Sequence, residues 1–440
     1  MIDRKAGACA TEGLPHIVVL GAGFGGLSFC KRFPPGLARI TLVDRQNHHL
    51  FQPLLYQVAS AGLGATDIAQ PIRSILAGKP GVTVLMESAV GLDLATRQVF
   101  LECATLRYDY LVIALGGVTG YFGHPEWAQF APGLKSLEDA LRIRREVLLA
   151  FERAESEPDP ARRAQLMTMA VIGGGPTGVE LAGAFAELSR YVLARDFRRI
   201  DPRQARVVLV EAGPRVLGTL PSDLAESAER QLQALGVEIR RNCRVQSIRR
   251  NEVEFPDGSL LRCCNIVWAA GIQANPIVRQ VDAQTDKTGR ILIRSDLSVP
   301  GHPEVFAVGD IASLVDAKGV AVPGVSPAAI QMARHVVRTI VRDLTPGGER
   351  RQRASFVYRD RGTMATIGRS KAVAIIRRGH LTGYPAWLAW LLVHLVFLVG
   401  FRNKLSVLLS WTYSYLTYKR GARIIHVTPF DAGINGPTRT

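Results

Sequence analysis

The chain has 440 residues, of which 47% are hydrophobic and 21% are charged. This length and composition predict a folded protein of more than one domain and exclude a disordered chain. The formal net charge of +16 is typical of proteins that bind nucleic acid or an anionic membrane. The six cysteines form no CxxC or CxxxxC pair. This pattern favours reduced thiols over a metal site or a redox-active disulfide.

The first βαβ unit begins with an apolar run at 17–20, which leads into Gly21-Ala22-Gly23-Phe24-Gly25-Gly26. Such a run predicts a buried parallel strand that feeds a helix. In this G-x-G-x-x-G pattern the first glycine makes a tight turn, the second admits a pyrophosphate, and the third lets the helix pack on the strand. A second strand is predicted from Arg39 to Asp44. Asp44 follows Gly26 by 18 residues, a spacing that suits hydrogen bonds to a ribose.

Further strands are predicted near 82–86 and at 110–115, the latter followed by Gly116 and Gly117. A linking helix is predicted from Leu137 to about Glu155, with the prolines at 158 and 160 ending it. The residues after it open a second unit of the same kind.

The second unit has a strand at 169–172 followed by Gly173-Gly174-Gly175-Pro176-Thr177-Gly178. Its next strand, 206–210, ends in Glu211, which lies 33 residues after Gly178 because a basic insertion lengthens the unit. An acid at this position favours the ribose hydroxyls of NADH and repels the 2′-phosphate of NADPH. The alternative is a degenerate structural copy, but the glycines and the acid are all intact.

Two nucleotide sites in one chain predict that one binds a flavin and the other a nicotinamide, since hydride passes readily from a nicotinamide to a flavin. The first site is assigned to FAD because a further buried strand, 305–308, ends in Gly309-Asp310, where an acid can bind the ribityl or pyrophosphate region. The second site is assigned to NADH. The predicted fold is α/β, with two Rossmann-like dinucleotide-binding domains of the two-dinucleotide-binding flavoprotein type.

Several further motifs carry a family resemblance. They are His49-Leu50-Phe51-Gln52-Pro53-Leu54-Leu55-Tyr56-Gln57-Val58-Ala59, the Gly-Gly-Pro-Thr-Gly-Val-Glu run ending at Glu180, Val267-Trp268-Ala269-Ala270-Gly271, Gly362 to Arg369, and the tail from Ala386-Trp387-Leu388 to Asn403. From about residue 15 to 425 the chain resembles the type II NADH:quinone oxidoreductases. The resemblance implies one FAD, NADH as donor, a membrane quinone as acceptor, no proton pumping, and attachment to the cytoplasmic face of the cell membrane.

The resemblance also implies residue roles. Glu180 and Gln331 are the predicted catalytic residues, although Pro327 stands where the quinone-site pattern often has a glutamine. The predicted FAD-binding residues are Gly21, Gly23, Phe24, Gly25, Gly26, Asp44, Arg45, Gln52, Tyr56, Ala114, Gly116, Gly309 and Asp310. The predicted NADH-binding residues are Gly173, Gly175, Thr177, Gly178, Glu180, Glu211, Ala270 and Gly271. The predicted domains are 15–135 and 291–380 for FAD, 136–290 for NADH, and 381–425 for membrane binding.

The C-terminal part accounts for ten of the sixteen surplus positive charges. Between Arg361 and Phe430 there are ten Lys or Arg residues and no Asp or Glu. Because this part is also apolar and aromatic, it predicts an anionic membrane surface as the partner and no nucleic acid. Two helices, at 385–401 and 405–418, are predicted to lie in one leaflet, interrupted at 402–404. One true span and a helix pair buried in a homodimer are the alternatives.

These patterns together predict a membrane-associated enzyme that oxidises NADH through FAD and reduces a quinone in a ping-pong reaction. One alternative is an NADH-dependent reductase of a soluble electron carrier, against which the missing cysteine motifs and the apolar tail argue. A sulfide:quinone enzyme would need positioned cysteines. A non-catalytic nucleotide-binding protein docked on a membrane is the alternative from another class.

Overall fold

The computed structural model describes residues 13–347, 352–377, 379–417 and 422–425. The chain divides into two compact units. The first comprises residues 1–50, 69–118 and 272–361, and the second comprises 51–68, 119–271 and 362–440. These boundaries differ from the predicted ones, because segment 51–68 and the residues after 361 pack with the second unit.

Helices and strands alternate along most of the described chain. The α-helices are α1 Phe24–Arg32, α2 Leu55–Ala59, α3 Ala65–Ile68, α4 Ile72–Ile75, α5 Leu137–Ser156, α6 Pro160–Leu166, α7 Pro176–Glu187, α8 Ser222–Ala234, α9 Ser326–Asp343, α10 Gly383–Phe397 and α11 Phe401–Thr417. The strands are β1 His16–Leu20, β2 Arg39–Asp44, β3 His48–Leu50, β4 Ala69–Pro71, β5 Val82–Met86, β6 Ala89–Asp93, β7 Gln98–Leu101, β8 Thr105–Arg107, β9 Tyr110–Ile113, β10 Gly117–Thr119, β11 Thr168–Ile172, β12 Arg206–Val210, β13 Val237–Arg240, β14 Ser247–Arg249, β15 Glu252–Glu254, β16 Leu260–Arg262, β17 Asn265–Trp268, β18 Ile272–Ala274, β19 Ile291–Leu292, β20 Ser298–Val299, β21 His302–Ala307, β22 Ala312–Ser313, β23 Thr363–Gly368, β24 Lys371–Ile376 and β25 Gly379–Thr382.

The first unit is built on a six-stranded sheet of order β20-β21-β9-β1-β2-β5. Strand β1 is buried along its whole length and pairs in parallel with β2 and β9. Strand β21 pairs in parallel with β9, so the carboxyl ends of β1, β9 and β21 lie side by side. The turns that begin at Gly21, Ala114 and Gly309 therefore meet at one edge of the sheet, where α/β folds bind ligands.

The second unit contains a four-stranded parallel sheet of order β13-β12-β11-β17. Helix α7 follows β11 directly and packs on β23 of the C-terminal three-stranded sheet. The strands predicted at 39–44, 82–86 and 206–210 are confirmed at the same bounds. Strands of a parallel sheet tend to be continuous apolar runs, so they can be recognised in the sequence.

The predicted linking helix is confirmed as α5, which ends at Ser156, two residues before Pro158. Pro160, which was predicted to help end it, instead begins α6, where a proline needs no partner for an N–H. Asp159 caps this helix by accepting hydrogen bonds from the backbone of Ala161 and Arg162. The break between α10 and α11 falls at 398–400 rather than at 402–404. Lys404 donates from Nζ to the Val396 carbonyl oxygen at 2.8 Å, which satisfies the carboxyl end of α10.

Both C-terminal helices are short. Within the described ranges, no helix combines the length and the apolar character that crossing a membrane requires.

A close approach between α7 and β23 holds part of the second unit together. A Cβ atom added at Gly183 of α7 would overlap the carbonyl oxygen of Ile367 in β23. Only a glycine lets the helix backbone lie this near the strand. The contact fixes the height of α7 above the C-terminal sheet.

We predict that Gly183→Ala destabilises the second unit, because the added methyl group must push helix and strand apart. Thermal and denaturant unfolding should show a loss of roughly 1–3 kcal/mol, the usual range for overpacking. The matched control is Gly218→Ala, since the nearest atom to a Cβ there is 3.8 Å away. Equal stability of the two variants would contradict the packing role.

Candidate functional site

The first glycine turn has one sterically closed side and one open side. Gly21 has a φ of +94°, and a Cβ there would lie 2.5 Å from the Ala114 carbonyl oxygen. A Cβ at Gly26 would overlap the Gly21 carbonyl oxygen, whereas a Cβ at Gly23 would meet no heavy atom within 4 Å. The open side at Gly23 leaves room for a ligand to approach the backbone.

Asp44 is fixed beside this turn by two backbone amides. Its Oδ2 accepts from the N–H of Ala22 at 2.6 Å, and its Oδ1 accepts from the N–H of Gln46 at 2.8 Å. Each carboxylate oxygen keeps a further lone pair. The orientation of the Asp44 carboxylate is therefore fixed, and its oxygens can still accept hydrogen bonds from ribose hydroxyls.

Most of the other predicted FAD residues belong to the same unit. Phe24, Gly25, Ala114, Gly116, Gly309 and Asp310 all lie at the carboxyl edge of its sheet or directly after it. Arg45 is exposed next to Asp44. Gln52 and Tyr56 belong to the second unit, where Gln52 is exposed and donates to the Lys135 carbonyl oxygen at 3.2 Å.

His49, which was not among the residues predicted from the sequence, belongs to the first turn. Its Nδ1 lies 2.8 Å from the Ala22 carbonyl oxygen, and its ring meets the Phe24 ring edge-on at 5.2 Å. Burial lowers the pKa of His49, so the neutral ring braces the turn at neutral pH. The only signal in the sequence was its place in the quoted motif.

The second glycine turn repeats the geometry of the first. Gly173 has a φ of +112°. A Cβ atom added there would lie 2.8 Å from the peptide bond between Ala269 and Ala270. A Cβ at Gly178 would overlap the Gly173 carbonyl oxygen, and one at Gly175 would meet nothing within 4 Å. Thr177 is exposed in the first turn of α7, where free backbone amides attract a phosphate.

Glu211 occupies the place that Asp44 has in the first unit. Its Oε2 accepts from the N–H of Gly174 and its Oε1 from the N–H of Gly213, both at 2.6 Å. The long insertion before it does not displace this side chain, because β12 pairs with β11 in register. Ala270 and Gly271 follow the neighbouring strand β17, so the predicted NADH residues gather at one sheet edge.

Both turns fit a dinucleotide. Each provides an open glycine, a helix amino terminus and an acid whose oxygens are already held by backbone amides. FAD could be held by the first unit and NADH by the second. When bound, FAD supplies the redox chemistry that the side chains lack, since flavin accepts hydride from a nicotinamide.

Glu180 lies on α7 one turn after the second glycine turn and lines a cavity of the second unit. Burial raises the pKa of its carboxyl to about 8, and a hydrogen bond from the Thr366 backbone N–H, at 3.3 Å, partly opposes this. The indole N–H of Trp390 points toward the same carboxyl and also lowers its pKa, without a hydrogen bond of normal geometry. Glu180 keeps some exposed surface because it faces the cavity. At neutral pH it is mostly a neutral acid that can donate a proton.

The cavity wall opposite Glu180 contains residues that were not selected from the sequence. The Gln57 amide donates to the Tyr56 hydroxyl at 2.8 Å, and the Trp411 indole donates to the Gln57 carbonyl oxygen at 2.8 Å. Trp390 is 1% exposed and stacks on the imidazole of His394 at 4.1 Å. The aromatic tail was interpreted only as an interfacial signal, whereas its inner side forms this wall.

Gln331 belongs to the first unit, on α9. Its amide nitrogen donates to the Arg359 carbonyl oxygen at 3.0 Å, and its amide oxygen accepts from the Arg359 N–H at 3.1 Å. The side chain thus clamps a backbone segment. Pro327 lies in the first turn of the same helix, where a proline is well tolerated. The catalytic role of Gln331 stays a prediction.

The comparisons with known proteins agree with this geometry. Residues 15–335 match the family model described as pyridine nucleotide-disulphide oxidoreductase. The chain is 43% identical to the type II NADH:quinone oxidoreductase Ndh of Mycobacterium tuberculosis, covering 92% of this chain and 89% of that protein. It is 40% identical to NdhA of the same organism, covering 94% and 90%. The fold is similar to that of NDH2 from Plasmodium falciparum in complex with NADH, with a TM-score of 0.85, 18% identity, and coverage of 93% and 99%.

We predict that Glu180 makes stability fall as pH rises. Its folded pKa of about 8 lies above the ordinary value of 4.5. Between these values the folded protein keeps a proton that the unfolded chain releases, so stability is lost progressively from about pH 4.5 to 8, by roughly 3–5 kcal/mol at most. Glu180→Gln should flatten this loss in denaturant midpoints measured between pH 5 and 8.5. The control Glu226→Gln alters an exposed side chain and should keep the wild-type slope; the same slope in the Glu180 variant would contradict the account.

Proposed function

The chain belongs to the pyridine nucleotide-disulphide oxidoreductase family and, within it, to the type II NADH:quinone oxidoreductases, and from this membership we propose that it oxidises NADH and reduces a membrane quinone. Electrons pass through bound FAD, and no protons are pumped. The observation that carries the proposal is the pair of matching glycine turns, each with an acid held by two backbone amides. Binding of two dinucleotides by one chain is what such a transfer requires.

The second unit binds NADH through its glycine turn. The amides at the start of α7 hold the pyrophosphate, and Glu211 accepts hydrogen bonds from the adenosine ribose. A 2′-phosphate would meet the Glu211 carboxylate at close range. NADPH is therefore a poor donor.

The first unit binds FAD through its own turn. Asp44 accepts from the ribose hydroxyls, and His49 keeps the backbone around Ala22 in place. Asp310 faces the ribityl and pyrophosphate part of the cofactor. Gln52 and Tyr56 are proposed to lie near the isoalloxazine ring, and Gln331 holds the Arg359 backbone within the first unit.

Glu180 is the proposed proton donor to the quinone. Reduction of a quinone to a quinol takes up two electrons and two protons, and a carboxylic acid with a pKa of about 8 is suited to deliver one proton near neutral pH. Its cavity is also lined by residues of α10 and α11, including Trp390 and Trp411. We propose that the quinone ring enters this cavity.

Helices α10 and α11 are proposed to dock on the cytoplasmic face of a membrane. Leu388, Leu392 and Val396 form a stripe on α10, and they are 52%, 63% and 58% exposed. Leu405, Leu408 and Leu409 are exposed on α11 at 45%, 45% and 60%. Contiguous exposed apolar side chains are costly in water and typical of an interfacial helix.

Positive charge next to this apolar surface favours anionic lipids. Arg402 is exposed beside the leucines of α11, and Lys404 lies two residues further along the chain. Arg378, Lys419 and Arg420, which were counted with them in the sequence, lie outside the described residues. Association of two copies through these helices stays a prediction.

The function is tested by measuring NADH oxidation by the purified, detergent-solubilised, FAD-loaded protein with and without a short-chain ubiquinone or menaquinone analogue. We expect strong stimulation by a quinone and little activity with NADPH. Reduction of the flavin by NADH without any stimulation by either quinone would reject the quinone as acceptor and leave the nucleotide assignments intact.

We predict that Glu211→Gln narrows the preference for NADH over NADPH. The amide no longer repels a 2′-phosphate, and its N–H₂ group opposes one of the two backbone amides. The ratio of kcat/KM for the two donors should fall by roughly tenfold, equivalent to about 1.4 kcal/mol. Glu226→Gln on α8 is the control and should leave the ratio unchanged. An unaltered ratio in the Glu211 variant would remove its assigned role.

We predict that the double substitution Leu392→Glu, Leu409→Glu releases the protein from membranes, because two charges then face the lipid. Flotation with vesicles that contain anionic lipid should recover a several-fold smaller bound fraction than wild type. Leu260→Glu places the same charge at a leucine that is 45% exposed elsewhere in the unit and should float normally. Normal flotation of the double variant would contradict the proposed docking surface.

A further inference from the structure

A chain of three side chains leads from helix α11 to the wall of the Glu180 cavity. Trp411 donates from its indole N–H to Oε1 of Gln57, and Nε2 of Gln57 donates to the Tyr56 hydroxyl oxygen, both at 2.8 Å. Trp411 and Tyr56 are each 6% exposed. All of these residues line the same cavity as Glu180. The three side chains therefore form a buried hydrogen-bond network in which each donor and acceptor can be assigned.

The direction of the network follows from the chemistry of the indole. A tryptophan N–H can donate a hydrogen bond but cannot accept one. The atom of Gln57 that faces Trp411 must be the carbonyl oxygen, so the amide nitrogen faces Tyr56. Because that nitrogen can only donate, the Tyr56 oxygen is the acceptor. The hydroxyl hydrogen of Tyr56 must then point away from Gln57.

The hydrogen of Tyr56 has no acceptor among the described residues. Tyr56 is close enough to Glu180 for a charge on that carboxyl to raise the pKa of the phenol further above 10, in addition to the effect of burial. The hydroxyl consequently stays protonated and remains a donor. A buried donor without a partner is costly unless a ligand or water accepts from it.

Helix α11 is held against the segment that carries Gln57 by further contacts. Asn403 donates to the carbonyl oxygens of Thr66 and Asp67 at 3.1 and 3.0 Å. Ser406 donates to Oδ1 of Asp67 at 2.6 Å. These bonds fix the position of α11, and with it the position of the Trp411 indole that orients Gln57.

We propose that Gln57 is a positioning residue for quinone reduction: held by Trp411, it fixes the Tyr56 hydroxyl as a hydrogen-bond donor to the quinone carbonyl oxygen. The inference rests on the proposed function and extends it to a residue that was not selected from the sequence. Tyr56 keeps its proton throughout and polarises the carbonyl group. Glu180 delivers one of the two protons that the quinol gains and is reprotonated from solvent. The second proton also comes from solvent, and reduced FAD, when bound, would supply the two electrons.

The test is a double-mutant cycle on the full-length, FAD-loaded protein. Gln57→Glu replaces the donor that faces Tyr56 with an acceptor, so the hydroxyl hydrogen turns toward the new carboxylate and away from the quinone. Tyr56→Phe removes the hydroxyl altogether. Each variant should lower kcat/KM for a short-chain quinone by roughly tenfold, the loss expected for one hydrogen bond of about 1.4 kcal/mol.

The cycle separates positioning from a structural role. If Gln57 acts through Tyr56, Gln57→Glu should have little further effect in the Tyr56→Phe background. The rate of flavin reduction by NADH, measured without quinone in a stopped-flow instrument, should be unchanged in Gln57→Glu. Trp411→Phe keeps the aromatic packing but frees the Gln57 amide to turn, and should reproduce part of the loss.

Two controls accompany the cycle. Gln233→Glu, at an exposed position on α8, should leave both half-reactions intact, and wild-type flavin content confirms folding of each variant. Additive losses, equal losses in flavin reduction, or unchanged quinone kinetics would each overturn the inference about Gln57. Wild-type protein that no quinone stimulates would instead overturn the proposed function on which the inference rests.

Discussion

In both units the glycine turn depends on a carboxylate that accepts two backbone hydrogen bonds. Asp44 binds the amide of Ala22 in the first unit, and Glu211 binds the amide of Gly174 in the second, each at 2.6 Å. This bond fixes the turn, and with the second backbone hydrogen bond it fills half of the acceptor capacity of the acid. The remaining acceptor sites are the ones proposed to bind a ribose. The same contact is thus proposed to shape the phosphate site and to select the nucleotide in each unit.

Helix α7 extends this arrangement to the chemistry of the second unit. Its amino terminus is the proposed phosphate site, and Glu180 follows one turn later in a cavity lined by residues of β23 and α10. Because Gly183 allows α7 to approach β23 closely, the Glu180 carboxyl loses water and its pKa rises to about 8. The proposed proton donor therefore owes its raised pKa to burial by helix packing.

Local sequence determines the glycine turns and the buried strands, so these could be predicted. Gly21, Gly26 and their counterparts are required by contacts within one βαβ unit. The cavity wall could not be predicted. Trp411 and Gln57 are 354 residues apart in sequence, and no local sequence pattern indicates that they are in contact. Segment 51–68, predicted as part of the FAD domain, packs with α11. Its partners in α11 lie at the other end of the chain.

One chain is proposed to pass electrons from NADH to a quinone through its bound flavin. Anaerobic stopped-flow absorbance of the FAD-loaded protein, followed in the visible band of oxidised flavin, tests it most directly. NADH should bleach the flavin completely, and a quinone added afterwards should restore the oxidised spectrum at a rate that accounts for turnover. Bleaching that no quinone reverses, or reoxidation slower than turnover, would contradict the account.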